Sequence, residues 1–165
     1  MSFYLIIRGP LGCGKSTIAE ELAKRLKAEY ISIDNILAEH DLEKEWEEGY
    51  IAQKSFKKAN EIIIPTVKKM LAKDKPVVID GNFYWKSQVE DLITKLKFPH
   101  QVFTLKAPLE ICILRDSKRK KPYGEEAARA VYKKTITFDY GTNINIDRPL
   151  QECIDEILAQ LKRLH

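Results

Sequence analysis

The sequence predicts an α/β fold, a five-stranded parallel sheet covered by helices on both faces. Three observations lead there. Short apolar, β-branched runs alternate with amphipathic helical stretches along the whole chain. The first such run leads directly into a glycine-rich loop and then a helix. The 165 residues suit one domain with one sizeable core, and no linker, internal repeat or low-complexity tract divides them.

The elements follow in order. Phe3 to Arg8 (F-Y-L-I-I-R) is a buried strand bounded by Gly9. Lys15 to Ala28 is an amphipathic helix with Ile18, Leu22 and Leu26 on one face. Tyr30 to Ile33 reads as a second strand ending at Asp34. Ile51 to Lys73 reads as a long helix that Pro65 should kink or split. Val77 to Ile79 is a third strand, ending at Asp80-Gly81-Asn82, and Trp85 to Lys97 is helical. Gln101 to Leu105 is a fourth strand, Pro108 to Arg119 a helix, and Lys120 to Gly124 a loop. Glu125 to Ile136 is helical, Asn143 to Ile146 is a fifth strand, and Pro149 opens the last helix.

Composition narrows the function classes. The formal net charge of +4, from 28 basic and 24 acidic residues, is too mild to argue for nucleic acid by itself. No apolar run approaches the roughly 20 residues that span a bilayer, and the N-terminus lacks a signal-peptide pattern, so a cytoplasmic location and no membrane partner are expected. Cys13, Cys112 and Cys153 have no metal-ligand spacing and read as buried thiols.

Gly9, Pro10, Leu11, Gly12, Cys13, Gly14, Lys15 and Ser16 fit G-x-x-x-x-G-K-[S/T], the Walker A pattern, between a strand and a helix. Glycines let the backbone turn and bring its N–H groups close to phosphate, and the helix N-terminus adds positive partial charge. Lys15 would reach the β- and γ-phosphates of ATP, Ser16 would contribute its hydroxyl to Mg2+, and Thr17 would lie near the α-phosphate.

Asp34 and Asp80 fall at predicted carboxyl ends of strands, the edge where open parallel sheets bind ligands. Either could instead cap the following helix. Arg115, Lys118, Arg119, Lys120 and Lys121 crowd into a short segment that reads as a solvated helix end, an RNA-binding patch or a lid. Arg115 and Arg119 share one helical face.

In these motifs and their order the chain resembles the small P-loop kinases, the adenylate, shikimate and gluconate kinase-like group together with predicted kinases of the AAA-type ATPase-like group. The resemblance covers essentially the whole chain, although only the Walker A loop is highly specific. It implies a three-layer α/β/α sandwich with strand order 2-3-1-4-5 and transfer of the γ-phosphoryl group of ATP, with Mg2+, to a small-molecule or nucleotide acceptor. It implies that Asp80 holds the metal through a water and that Asp34 orients the acceptor hydroxyl, two roles that could be exchanged. It implies that Arg115 and Arg119 belong to a mobile lid over residues 116–140, with Arg129 as a further phosphate contact. The acceptor region would lie between the second strand and the long helix, where Trp46 stands, and after Asp80, where Asn82 and Tyr84 stand. The chain shows D-G-N-F-Y where adenylate kinases carry D-G-F-P-R, and it lacks the shikimate kinases' glycine triplet and the gluconate kinases' histidine lid motif. The acceptor is thus left open. A polynucleotide or tRNA kinase, and an ATP-dependent switch, remain as alternatives, and a monomer is the default.

Overall fold

The structure is a computed structural model that describes residues 2–163. In chain order its elements are β1 (Tyr4–Arg8), α1 (Lys15–Leu26), β2 (Glu29–Ser32), α2 (Ile33–Glu39), β3 (Trp46–Glu47), β4 (Tyr50–Ile51), α3 (Gln53–Ala72), β5 (Val77–Gly81), α4 (Lys86–Leu96), β6 (His100–Lys106), α5 (Leu109–Ser117), α6 (Glu125–Thr135), β7 (Thr142–Asn145) and α7 (Leu150–Arg163). No described helix is long and apolar enough to cross a membrane.

Five parallel strands form one sheet in the order β2-β5-β1-β6-β7, which is 2-3-1-4-5 when the strands of that sheet are counted along the chain. The order expected from the resemblance is thus the order found. β1 lies at the centre and all five of its residues are buried. Its side chains alternate between the two faces. Tyr4 and Ile6 join Phe56, Ile63, Val67 and Leu92 from α3 and α4, while Leu5 and Ile7 join Ile18, Leu22, Ile154 and Ile157 from α1 and α7. A strand packed on both faces has no polar side to show, which is why β1 reads as a continuous apolar run. Each such Ile or Leu contributes about 1.5–3 kcal/mol when fully buried.

Three local expectations are corrected. The second strand ends at Ser32, and Asp34 sits in the first turn of α2. Ser32 accepts a hydrogen bond from Asn35 N at 3.2 Å and caps that helix, so Ile33 turns inward as a helical residue and not as the last of the strand. Second, α3 runs unbroken through Pro65. Pro65 lies on the exposed face of the helix, where water can satisfy the carbonyl whose partner N–H it lacks. Third, Ile51, expected to open the long helix, lies instead in a two-stranded hairpin, β3–β4, that stands between α2 and α3. Glu48 (φ 54°) and Gly49 (φ 85°) form its turn, the pair of left-handed residues that a tight hairpin requires.

Candidate active site

The loop Gly9–Gly14 leaves β1 at the sheet centre and turns into α1. Gly12 (φ 79°) and Gly14 (φ 94°) take left-handed conformations, and a Cβ on Gly12 would stand 2.4 Å from the carbonyl oxygen of Cys112. Only glycine lets the loop lie this close to α5. No side chain caps the N-terminus of α1, so the first-turn N–H groups and the positive end of the helix dipole face whatever the loop encloses. Lys15, the first residue of α1, is buried there.

Beside the loop lies a cleft of about 510 Å³. Gly12, Cys13, Gly14, Lys15, Ser16 and Thr17 form one wall, and Arg115, Arg119, Ile146 and Arg148 stand opposite. Arg115, on α5, donates from Nη1 to Cys13 O (2.7 Å) and from Nη2 to Ile146 O (3.0 Å), which ties the loop to the end of β7. Arg119 lies beyond the end of α5 with its guanidinium over the ring of Tyr123, 4.6 Å from the centroid. Arg148 was not anticipated from sequence. It pairs with Glu156 and donates to Asn145 O, which holds it at the cleft. The Asp147-Arg148-Pro149 turn after the last strand is the signal that could have found it.

Asp80 is the fourth residue of β5 and pairs in register with Ile7 on β1 and Ser32 on β2, at the carboxyl edge of the sheet. It is fully buried. Burial raises its pKa to about 6. The Tyr30 hydrogen bond and the charge of Lys15 oppose that rise, whereas Asp34 and Glu20 add to it. Tyr30 donates its hydroxyl to Oδ2. Oδ1 is buried without a hydrogen-bond partner. An orphaned carboxylate oxygen beside Lys15 fits a hydrated magnesium ion, which keeps several of its waters and needs few protein ligands. Among the described residues no cluster of three or more His, Cys, Asp or Glu could hold a metal by itself. Ser16 and substrate phosphate oxygens would have to complete such a site.

A second cavity, of about 770 Å³, opens on the other side of the loop. Leu11 is the loop's contribution to it. α2 brings Asp34, the hairpin brings Trp46 and Tyr50, the segment after β5 brings Asn82 and Tyr84, and α6 brings Glu126 and Val131. Asp34, Trp46, Asn82 and Tyr84, scattered in sequence, thus line one space. Arg129 does not join them: it is exposed and pairs with Glu125 on its own helix. Tyr84 is buried, its hydroxyl accepts from Ile51 N at 3.1 Å, and burial raises its pKa to about 12. Asn82 Oδ1 is buried with no partner.

Behind this wall Phe83 holds φ 44°, an uncommon conformation for a bulky residue. Its carbonyl accepts from Nε of Arg8 at 3.2 Å. Arg8, missed as a functional residue in the sequence, is fully buried at the end of β1. It also donates to Thr104 Oγ1, Thr135 O and Phe138 O and lies 4.2 Å over the ring of Phe138. Burial lowers its pKa to about 10, against the pull of Asp139. The residues after α6 are thereby fastened to the strand that carries the loop. At the other end, Asp116 accepts from Tyr123 N and Gly124 N and closes the basic turn on itself.

Comparison with functionally curated proteins gives no match. Solved structures do match across the fold. A gluconokinase from Sinorhizobium meliloti 1021 superposes with a TM-score of 0.76 at 18% identity, covering 98% of this chain and 92% of its own. A sugar kinase from Janibacter sp. HTCC2649 gives 0.77 at 16%, covering 98% and 95%. The deoxyadenosine kinase of M. mycoides, solved with the products dCMP and dCDP, gives 0.56 at 18%, covering 98% and 100%. At these identities the shared property is the fold, that of small P-loop kinases. In sequence, residues 5–137 match the family described as the AAA domain, and the chain belongs to that family.

Proposed function

We propose that the protein is an ATP-dependent phosphotransferase that moves the γ-phosphoryl group of ATP to a hydroxyl of a small molecule. The observation that carries this reading is the placement of two cavities on opposite sides of one phosphate-binding loop, with basic side chains in one and Asp34 in the other. A switch that only hydrolyses ATP has no use for the second cavity.

The nucleotide belongs in the cleft of Lys15, Arg119 and Arg148. The loop amides and Lys15 hold the β- and γ-phosphates, and Thr17 lies along the α-phosphate. Arg115, with two N–H groups engaged by Cys13 and Ile146, acts as a positioning residue that keeps the loop in shape. Arg119 neutralises charge that develops during transfer. Magnesium, when bound by Ser16 and the phosphates with Asp80 behind it, would supply further charge neutralisation on the phosphate oxygens. The acceptor hydroxyl oxygen forms the new bond to the γ-phosphorus, the bond from that phosphorus to the β–γ bridging oxygen breaks, and ADP leaves. The hydroxyl proton passes to Asp34. Asn82 and Tyr84 orient the acceptor.

A polynucleotide acceptor is disfavoured by the second cavity, which has no basic side chain among its lining residues. The deciding experiment incubates the protein with γ-labelled ATP and magnesium against a library of metabolites, nucleosides and RNA ends. Labelled small-molecule product is the expected result. Hydrolysis to free phosphate that no library member alters would overturn the reading.

A further inference from the structure

The two cavities flanking the loop are opposite in charge. The nucleotide cleft is lined by Lys15, Arg115, Arg119 and Arg148 and by no carboxylate. The second cavity is lined by Asp34, Glu43 and Glu126 and by no Lys, Arg or His. None of these three carboxylates has an ion-pair partner among the described residues. The contrast is the sharper because the chain as a whole carries a net positive charge of +4. Cations of the protein stand at its border, Lys134 Nζ 5.5 Å from the ring centroid of Tyr50 and the Arg119 guanidinium 4.6 Å from that of Tyr123, but none lines it.

The walls carry a second signal. Trp46 borders the cavity although it is 64% exposed, and Tyr50 and Tyr84 line it with ring centroids 5.4 Å apart, whereas Tyr123 already carries the Arg119 guanidinium on its ring. Large exposed aromatics beside a cavity are costly to leave in water and profitable to cover with a ligand. Aromatic faces together with uncompensated carboxylates make an ammonium-binding environment, because both the ring quadrupole and the carboxylate charge favour a cation. The same surroundings repel a second phosphate or a carboxylate on the acceptor.

We infer that the acceptor is a cationic alcohol, a small hydroxyl-bearing amine with an apolar or planar body, and not a sugar acid, a nucleotide or any other anion. This rests on the phosphotransferase reading above and specifies its acceptor. The hydroxyl is presented toward Asp34 on α2, while the ammonium lies among Glu43, Glu126 and the exposed ring of Trp46.

The test uses two sets of molecules matched in shape and differing in charge. Tyramine, 4-hydroxyphenylacetamide and 4-hydroxyphenylacetate share one phenol body; glucosamine, glucose and glucuronate share one pyranose ring. Binding to the full chain with a non-hydrolysable ATP analogue is followed by the fluorescence of Trp46 and by calorimetry. In each set the amine should bind about tenfold or more tightly than the neutral member and the anion weakest of all. Raising salt should weaken the amine selectively. In Glu43→Gln/Glu126→Gln the preference for the amine should fall at least about fivefold, with neutral members bound as before. Equal or tighter binding of the anions, no binding of either amine below about 10 mM, or a preference unchanged in the double variant would each overturn the inference. Binding of the ATP analogue alone is measured in the same cell. Its loss would count against the nucleotide site and so against the phosphotransferase reading, whereas its retention with the wrong charge preference counts against the acceptor class alone.

Discussion

Tyr30 donates its hydroxyl to one carboxylate oxygen of Asp80, while the other oxygen of Asp80 lies buried and unpartnered in the field of Lys15. The carboxylate is therefore held firmly from one side and left needy on the other. Such a group costs stability and is retained for what it binds.

The cost of Asp80 has a pH signature. Its pKa rises from the ordinary 3.8 to about 6, with burial as the main cause. The folded protein holds that proton more tightly than the unfolded chain, so between those two values stability falls as pH rises. Above about 6 the full cost of the buried charge is present. Asp80→Asn should therefore raise the Tm at pH 7, with the gain vanishing below about pH 4. The same variant should need more magnesium for transfer. Thermal melts across pH 4–8 check the first outcome and a magnesium titration of turnover checks the second. A Tm difference independent of pH would show that the charge of Asp80 is not the source of strain.

Asp34 stands in the first turn of α2 and lines the second cavity, proposed to hold the acceptor, and not the cleft beside the phosphate loop. Asp34→Asn keeps the shape and removes the ability to take a proton. Turnover should fall by about 100-fold or more, as for loss of a general base, with the Kd for ATP within about twofold of the native value. Single-turnover kinetics beside calorimetry separate the two quantities. ATP affinity that falls in step with turnover would remove Asp34 from the acceptor side.

Lys15 opens α1 inside the loop and is buried there. Lys15→Ala should lower transfer more than tenfold, about 1.4 kcal/mol of barrier. Far-UV circular dichroism should be unchanged. A folded variant with near-native turnover would contradict the role given to Lys15.

Arg8 serves four acceptors at once: Phe83 O, Thr104 Oγ1, Thr135 O and Phe138 O. Arg8→Met keeps the length and takes the guanidinium donors from Phe83 O, Thr135 O and Phe138 O, while Thr104 Oγ1 keeps the N–H of Tyr140. The loss should exceed about 3 kcal/mol in urea denaturation. Arg8→Lys should recover only a small part, because one ammonium cannot reproduce a planar fork aimed at separate carbonyls. Full rescue by lysine would mean that charge alone matters at this position.

The basic turn and α6 are fastened at both ends, by Asp116 to Tyr123 and Gly124 and by Arg8 to Thr135 and Phe138. Between these anchors much of α6 is exposed. In the empty protein, amide exchange should be fastest over residues 118–134 and slower over 135–140, within the broader 116–140 segment expected to move. Addition of an ATP analogue and an acceptor should slow 118–134 at least several-fold. Exchange that is already slow without ligand would leave the basic cluster as a solvated helix end.

The sheet was legible because its strands are buried on both faces and so carry unbroken apolar runs, as in Tyr4–Arg8 and Val77–Gly81. The phosphate loop was legible because its chemistry needs particular residues at fixed spacing. The β3–β4 hairpin was not, since its two-residue strands hold Trp46, Glu47, Tyr50 and Ile51 and offer no periodicity to read. Asp34 was assigned to a strand end because apolar Ile33 extends the preceding run, and the capping hydroxyl of Ser32 was overlooked. Arg8 was read only as the last residue of a buried strand. Its partners Thr135 and Phe138 are 127 and 130 positions away, a relation that no local pattern encodes.

The loop contributes only Leu11 to the second cavity; the remaining wall comes from α2, Glu43 before the hairpin, the hairpin, the turn after β5, Tyr123 in the basic turn and α6. Apart from that turn, these pieces lie outside the central sheet. On the proposed reading, substrate choice and energy source are therefore inscribed on separable parts of the chain. Mutations in the hairpin or on α6 could redirect the enzyme to a new acceptor while the ATP machinery stayed whole. A scaffold so divided is well suited to directed evolution, in which libraries confined to the exposed lining positions Glu43, Trp46, Glu126 and Ala130 would explore specificity without touching the core.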